Sequence, residues 1–204
     1  MTQYLYFIPA LVVVLTFHEF AHAWTANYLG DSTAKYNGRV SLNPLRHLDL
    51  MGTLMLFLVG LGWGKPVPVD PRNFEHPVRD SAITAAAGPL ANLAIAFVAA
   101  FPYKYLVGTF AGTLFGAVFQ LSIVLFIFNL LPFPPLDGSK VLGFFIPTRY
   151  QRNYQEFLYH GTKYFMIFVL ADLFLVKEIL GYSLLWYAIS YLYMVVSTGI
   201  MMVT

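Results

Sequence analysis

The sequence predicts an all-α membrane protein, a polytopic transmembrane helix bundle with about five to six hydrophobic segments. Three observations carry that prediction. Of 204 residues, 58% are hydrophobic and only 11% charged, where a soluble domain is about half apolar and about a quarter charged. The apolar residues are gathered into runs, and a run of roughly 20 crosses a hydrocarbon core about 30 Å thick. The charged residues are gathered too, into the segments between the runs. The charge balance, 12 basic against 10 acidic residues for a net of +2, is too even for a nucleic-acid-binding face, which needs clustered Lys and Arg. Without cysteine, disulfide frameworks, thiolate metal sites and thiol proteases are excluded together.

Taken in order, the first run is Tyr4 to Leu29, the second Ala82 to Phe101 and the third Val107 to Leu131. Tyr164 to Leu180 and Tyr182 to Val203 are the last two, the former interrupted by Asp172 and by Lys177 and Glu178 near its end. Leu50 to Gly62 is apolar but too short to span and reads as re-entrant or interfacial. The amino terminus has no charged region or small-residue cleavage site, so no removable signal peptide is expected. Between Gly62 and Val69, two prolines, alternating valines and Trp63 read as an extended edge or, equally, as an interfacial loop anchored by the Trp.

Orientation follows from the basic residues, which favour cytoplasmic loops. Gly30 to Ser81 holds Lys35, Arg39, Arg46, Lys65, Arg72 and Arg79, and Pro132 to Lys163 holds Lys140, Arg149, Arg152 and Lys163. If Leu50 to Gly62 does not span, both loops share one face. The expectation is then five spans, with the amino terminus outside and the carboxyl terminus inside.

An ionisable residue in a spanning run is costly and marks function by default. The first run carries three together, in His18-Glu19-Phe20-Ala21-His22. Residues four apart share a helix face, so the two imidazoles can meet one metal ion while Glu19 reaches a water beside it. This is the HExxH arrangement of zinc peptidases. With five His and four Glu in the chain, chance alone would place that pattern somewhere with a probability of about 0.002. At 1.5 Å per residue, His22 lies about 12 Å and His18 about 18 Å from the helix end at Gly30, within the bilayer.

Catalytic zinc usually takes three protein ligands. A third is offered by Asn129-Leu130-Leu131-Pro132-Phe133-Pro134-Pro135-Leu136-Asp137-Gly138, where prolines stop the helix and an extended segment can aim Asp137 at the metal. A plain helix N-cap is the competing role for Asp137.

These segments together resemble the site-2 protease family of intramembrane zinc metalloproteases. Asn43-Pro44-Leu45-Arg46-His47-Leu48-Asp49, Gly62-Trp63-Gly64-Lys65-Pro66-Val67-Pro68-Val69 and Ala87-Gly88-Pro89-Leu90-Ala91-Asn92 are similar to its compact branch, which lacks PDZ and CBS domains. The likeness runs from about Tyr4 to Gly143; beyond that it is one of general character. It implies one domain over residues 1–204, with a catalytic core at about 4–143 and two further membrane helices at about 153–203. It further implies one Zn2+ per chain on His18, His22 and Asp137, Glu19 as catalytic base, and Asn129 as a partner for the substrate carbonyl or its oxyanion. The implied partners are a membrane-spanning protein substrate and the lipid bilayer, with no nucleic acid; the oligomeric state is left open. The implied location is the cell membrane, with the active site toward the cytoplasm. Leu50 stands where relatives commonly carry Pro.

Asn92 follows Gly88 and Ala91 among small residues typical of close helix contacts. It reads as an interhelical hydrogen-bonding residue, with positioning of substrate or catalytic loop as the alternative. Asp172 reads as facing a cavity or pairing within the bundle. His47, His76 and His160 lie in polar surroundings and read as solvated. The rival function is a membrane metal or proton transporter using the same His, Glu and Asp cluster. A third possibility is a catalytically silent membrane scaffold.

Overall fold

The computed structural model describes residues 2–52, 54 and 64–204. Every regular element among the described residues is helical, apart from one isolated antiparallel bridge between Leu48 and Gly64. The long helices are α1 (Thr2–Tyr28), α3 (Pro77–Tyr105), α4 (Phe110–Asn129), α6 (Gln151–Ala171) and α8 (Leu184–Val203). Shorter ones are α2 (Thr33–Tyr36), α5 (Asp137–Gly143) and α7 (Lys177–Leu180).

Local chemistry sets the ends of these helices. Gly30 turns the chain out of α1 at a φ of 111°, a conformation that costs glycine little because it has no Cβ. Thr109 caps α4 by accepting from the Gly112 N–H, and Ser183 caps α8 by accepting from the Trp186 N–H, each satisfying a donor that the helix leaves unpaired. Pro77 opens α3 at a position where a missing N–H costs nothing.

Four helices are long and apolar enough to cross a membrane: Leu5–Tyr28, Pro77–Tyr105, Phe110–Asn129 and Leu184–Val203. With the family relationship reported below, they make the chain an integral, multi-pass membrane protein. The expected fourth run behaves differently. Tyr164 to Leu180 forms the second half of one helical rod from Gln151 to Leu180, in which a π-helical turn at Asp172–Val176 joins α6 to α7. This rod is polar in its first half and carries Asp172, Lys177 and Glu178 in its second, so it is not among the four. Of the five expected spans, four helices qualify among the described residues, and the remaining run belongs to this mixed rod.

Asp172 does pair within the bundle. Its carboxylate accepts from the Ser183 hydroxyl, from the Leu184 N–H at 2.8 Å and from the Leu185 N–H at 3.2 Å. One acidic side chain on the π turn thus satisfies the opening amides of α8 and ties the two last helices together.

The core lies where α1, α3 and α4 meet. Ala10 and Val14 of α1 pack with Ala96, Ala99 and Ala100 of α3 and with Val118, Phe119, Ile123 and Ile127 of α4. Alanines dominate the α1 and α3 sides, which lets those backbones approach closely; between helices in lipid, close van der Waals packing supplies much of the attraction. Ile189 and Ile200 join this core from α8, whose other faces are largely exposed.

Candidate metal centre

Two turns before its end, α1 presents His18 and His22 on one face, both buried. The third component arrives 115 residues later. α4 stops at Asn129, the Pro-rich segment 130–136 passes through turns and bends, closed by Leu131 and Leu136 N–H bonds to the carbonyls three residues back, rather than running extended as expected, and Asp137 begins α5. Leu136 occupies the N-cap position of α5 and Asp137 its first turn, so Asp137 is not the N-cap considered above. Its side chain instead meets the two imidazoles.

The contacts have metal-site dimensions. His22 Nε2 lies 3.0 Å from His18 Nε2 and 3.2 Å from Asp137 Oδ2, and His18 Nε2 lies 3.3 Å from the same oxygen. A tetrahedral ion with bonds of about 2.0–2.1 Å holds its donor atoms about 3.3 Å apart, so the three atoms match one face of such a tetrahedron. Protonation supports the same reading. His22 Nδ1 lies 2.7 Å from the Thr84 carbonyl oxygen, which can only accept, so the ring proton sits on Nδ1. In the neutral ring Nε2 then carries the lone pair, which is free to bind a cation shared with Asp137 Oδ2. The two-nitrogen, one-oxygen donor set with room for water suits zinc. Among the described residues this is the one cluster of three His or acidic side chains with such convergence.

Helix α3 makes room for it. A Cβ at Gly88 would stand 2.3 Å from His22 Nε2 and 2.7 Å from His18 Cε1, so only glycine lets both rings lie flush against this helix. Asn92, one turn further on, places its amide 3.0 Å from His18 Nδ1. It is the interhelical hydrogen bond expected from its small-residue surroundings.

Glu19 and Asn129 line the same cavity of about 530 Å³ as the three clustered residues. The Asn129 amide donates one N–H back to the Leu125 carbonyl at 3.0 Å, leaving its second N–H for the cavity. The lining also includes Gly64, which bridges to Leu48, and Pro66, Val67 and Val69, which lie outside any helix. This segment is pinned at both ends. The Lys65 N–H donates to the His47 carbonyl at 2.8 Å, and the buried Arg39 guanidinium donates to the Lys65 and Pro66 carbonyls. At the far end the Asp70 N–H donates to Asp31 Oδ2 at 2.8 Å. Among the described residues neither Val67 nor Val69 donates its backbone N–H. Gly62 and Trp63 lie outside the described residues, as does the expected re-entrant stretch beyond its opening helical turn at Leu50.

Two charges here are shifted. Burial pulls Arg39 below its usual pKa, and the nearby Glu19 charge opposes the shift. Asp31 is fully buried, which alone would raise its pKa, but bonds from Thr33, Asn73 and the Asp70 amide hold it below the usual carboxylate range.

Several contributors were invisible in the sequence. Gln151, Tyr154, Gln155 and Leu158 of α6 also line the cavity, and the Tyr154 hydroxyl donates to the Ser139 carbonyl of α5 at 2.9 Å. No motif marks them; the amphipathic start of α6 was the available sign. His47, expected to be solvated, is 2% exposed and bonded through Nε2 to the Ser41 carbonyl at 2.7 Å. The fold buries it beside the segment that begins at Gly64 and Lys65, whereas His76 and His160 are exposed.

Comparison with known proteins bears on this centre. A model of peptidase family M50 matches residues 109–171. The candidate zinc metalloprotease YwhC of Bacillus subtilis (strain 168) is 37% identical over 178 residues, which cover 82% of this chain and 81% of that protein. The chain belongs to peptidase family M50. This is the site-2 protease family of the sequence resemblance, and the M50 membership makes the chain a zinc metalloprotease acting on protein substrates in a membrane. Candidate zinc metalloproteases elsewhere in the family are also similar. Rip2 of Mycobacterium tuberculosis (strain ATCC 25618 / H37Rv) is 31% identical over 86% of this chain and 68% of its own length. MJ0611 of Methanocaldococcus jannaschii is 32% identical over 68% of this chain and 71% of its own length. No solved structure matches the chain.

Proposed function

We propose that this M50 chain is an intramembrane endopeptidase that hydrolyses peptide bonds within or near transmembrane segments of membrane-protein substrates, in regulated intramembrane proteolysis. His18, His22 and Asp137 are its zinc ligands. The observation that carries this reading is the convergence of three donor atoms, 3.0 to 3.3 Å apart, in a cavity that also holds a carboxylate and an amide.

Zinc, when bound, supplies Lewis acidity to a water and to the scissile carbonyl. Glu19 accepts the proton from the attacking water and passes it to the leaving amine. The free Asn129 N–H donates to the oxyanion that develops on the substrate carbonyl. A transmembrane helix has its carbonyls bonded and shielded, so it is cut only when unwound. The pinned segment at Val67–Val69, whose Val67 and Val69 N–H groups have no acceptor among the described residues, is suited to hold such an extended stretch by strand pairing.

The whole chain, residues 1–204, forms one such domain, its catalytic core at about 4–143 and its last two helices at about 153–203. The cavity is lined in part by residues of both Lys- and Arg-rich loops, among them Pro66, Pro71, Ser81 and Lys140, which supports an active site facing the cytoplasm from the cell membrane. A transporter would use weak sites strung along a path; a single cluster beside a base favours hydrolysis.

The test is Glu19→Gln. The variant is expected to retain zinc while cleavage of a co-expressed single-span substrate falls by about 10²–10⁴-fold. Parental cleavage by a folded, zinc-loaded variant would sink the mechanism.

A further inference from the structure

The mechanism above leaves Asn92 unused, yet this amide is fully buried against a zinc ligand. Its Nδ2 is placed 3.0 Å from His18 Nδ1, and its Oδ1 has no partner. In that orientation the ring would accept at Nδ1 and carry its proton on Nε2, the atom that faces His22 Nε2 and Asp137 Oδ2. A protonated Nε2 has no lone pair for a metal. The two ends of an amide have nearly the same shape, and half a turn about its bond reverses the logic. Oδ1 then accepts the proton on Nδ1, and the Nε2 lone pair is directed at the cluster. Either orientation leaves one end of the amide without a protein partner; only one frees Nε2.

The other ligand shows the same device. His22 gives its Nδ1 proton to the Thr84 carbonyl, four residues before Gly88, which is itself four residues before Asn92. Positions 84, 88 and 92 form one stripe on α3. That stripe presents an acceptor, a gap, and a second acceptor to the two imidazoles of α1.

We infer that Asn92 is a positioning residue whose amide oxygen accepts the His18 Nδ1 proton, fixing the tautomer and ring orientation in which His18 Nε2 binds zinc. The inference rests on the ligand set proposed above. Acceptors behind a metal-bound imidazole hold its tautomer and raise its basicity, and their loss typically costs 10–100-fold in metal affinity.

The experiment uses the full chain in detergent and reads zinc affinity by competition with a chromogenic chelator, together with the visible spectrum of the Co2+-substituted protein. Asn92→Leu is expected to bind zinc about 10–100-fold more weakly with a changed cobalt spectrum. Asn92→Asp, which can only accept, is expected to retain zinc at parental stoichiometry. Where the bulk of Leu disturbs the helix contact, seen as loss of a single elution peak, Asn92→Ala carries the same expectation as Leu. Parental affinity and spectrum in Asn92→Leu or Asn92→Ala would overturn the inference, as would a folded Asn92→Asp that loses zinc like Asn92→Leu. His18→Ala separates the two proposals. Zinc held by His18→Ala at parental affinity overturns the ligand set, whereas zinc lost there and kept in Asn92→Leu overturns the role of Asn92 alone.

Discussion

Asp137 and Asp172 stand 35 residues apart in the second half of the chain, and their surroundings differ in kind. Each is largely buried and each lies in an apolar stretch next to a helix terminus. The Asp172 carboxylate is surrounded by donors: a hydroxyl and two backbone amides at the start of α8. The Asp137 carboxylate faces the Nε2 atoms of two imidazoles, one of which donates from its other nitrogen, Nδ1, to the Thr84 carbonyl. A carboxylate among donors is a finished structural bond. A carboxylate grouped with imidazole nitrogens that can ligate is instead able to share a cation with them, and this difference separates a staple from a candidate metal centre more reliably than burial does.

The sharpest way to break this comparison is to neutralise each acid. Asp137→Asn is expected to lower zinc affinity by roughly 100-fold or more, beyond what an outer-sphere partner carries, with cleavage lost in parallel. Asp172→Asn should leave zinc stoichiometry unchanged in elemental analysis of the purified protein. Zinc loss from the second variant, or zinc retained at parental affinity by the first, would reverse the assignment.

Glycines extend the contrast. Gly88→Ala forces a methyl to within 2.3 Å of His22 Nε2, so something must shift, and zinc affinity should fall by about tenfold, on the scale of other disturbances around the ligands. Gly199→Ala on α8 meets nothing within 4 Å and should leave zinc binding and activity untouched. An unperturbed chelator competition curve for Gly88→Ala would show that α3 can recede from the site.

Stability effects are smaller. Asp172→Ala strands the α8 amides and the Ser183 hydroxyl and should cost about 1–3 kcal/mol, seen as a lower melting temperature in detergent with cleavage by the remaining folded protein unchanged. Ser183→Ala, which removes only the cap and one partner of Asp172, should cost about 1 kcal/mol.

The smallest expected effect is one of pH on the pinned segment. Because the folded-state pKa of Asp31 is lowered, the unfolded chain takes up its proton first as pH falls. The contribution of Asp31 is therefore present above the unfolded value of about 3.9 and is lost as pH drops further through the folded one. Amide exchange at Asp70, whose N–H donates to Asp31, should accelerate relative to the helices below about pH 4. The same profile in Asp31→Asn would show that this carboxylate does not hold the segment.

Much of the centre was legible because its parts are local. His18 and His22 share a face by helix geometry alone, and the prolines before Asp137 announce a break that frees its side chain. The apolar runs gave four spans for a similar reason, since composition and length decide them. Tyr164 to Leu180 misled in part because a window of hydropathy does not register that the rod begins at Gln151 or that Asp172 has a partner eleven residues away. His47 misled because its burial depends on the distant Gly64–Lys65 segment pairing with its backbone, and the acceptor behind His22 is a backbone carbonyl that any residue at position 84 would have supplied.

The sequence by itself determined that the chain belongs in a bilayer and that two imidazoles and a carboxylate base share one turn of its first helix, because hydropathy and helical periodicity act over neighbouring residues. Only the tertiary structure decided that Asp137 completes a three-atom face with them, that Gly88 leaves the space, and that Thr84 and Asn92 stand behind the rings. Those relations join residues tens to more than a hundred positions apart, and they exist only once α1, α3 and α4 have packed close enough for their backbones to set the distances.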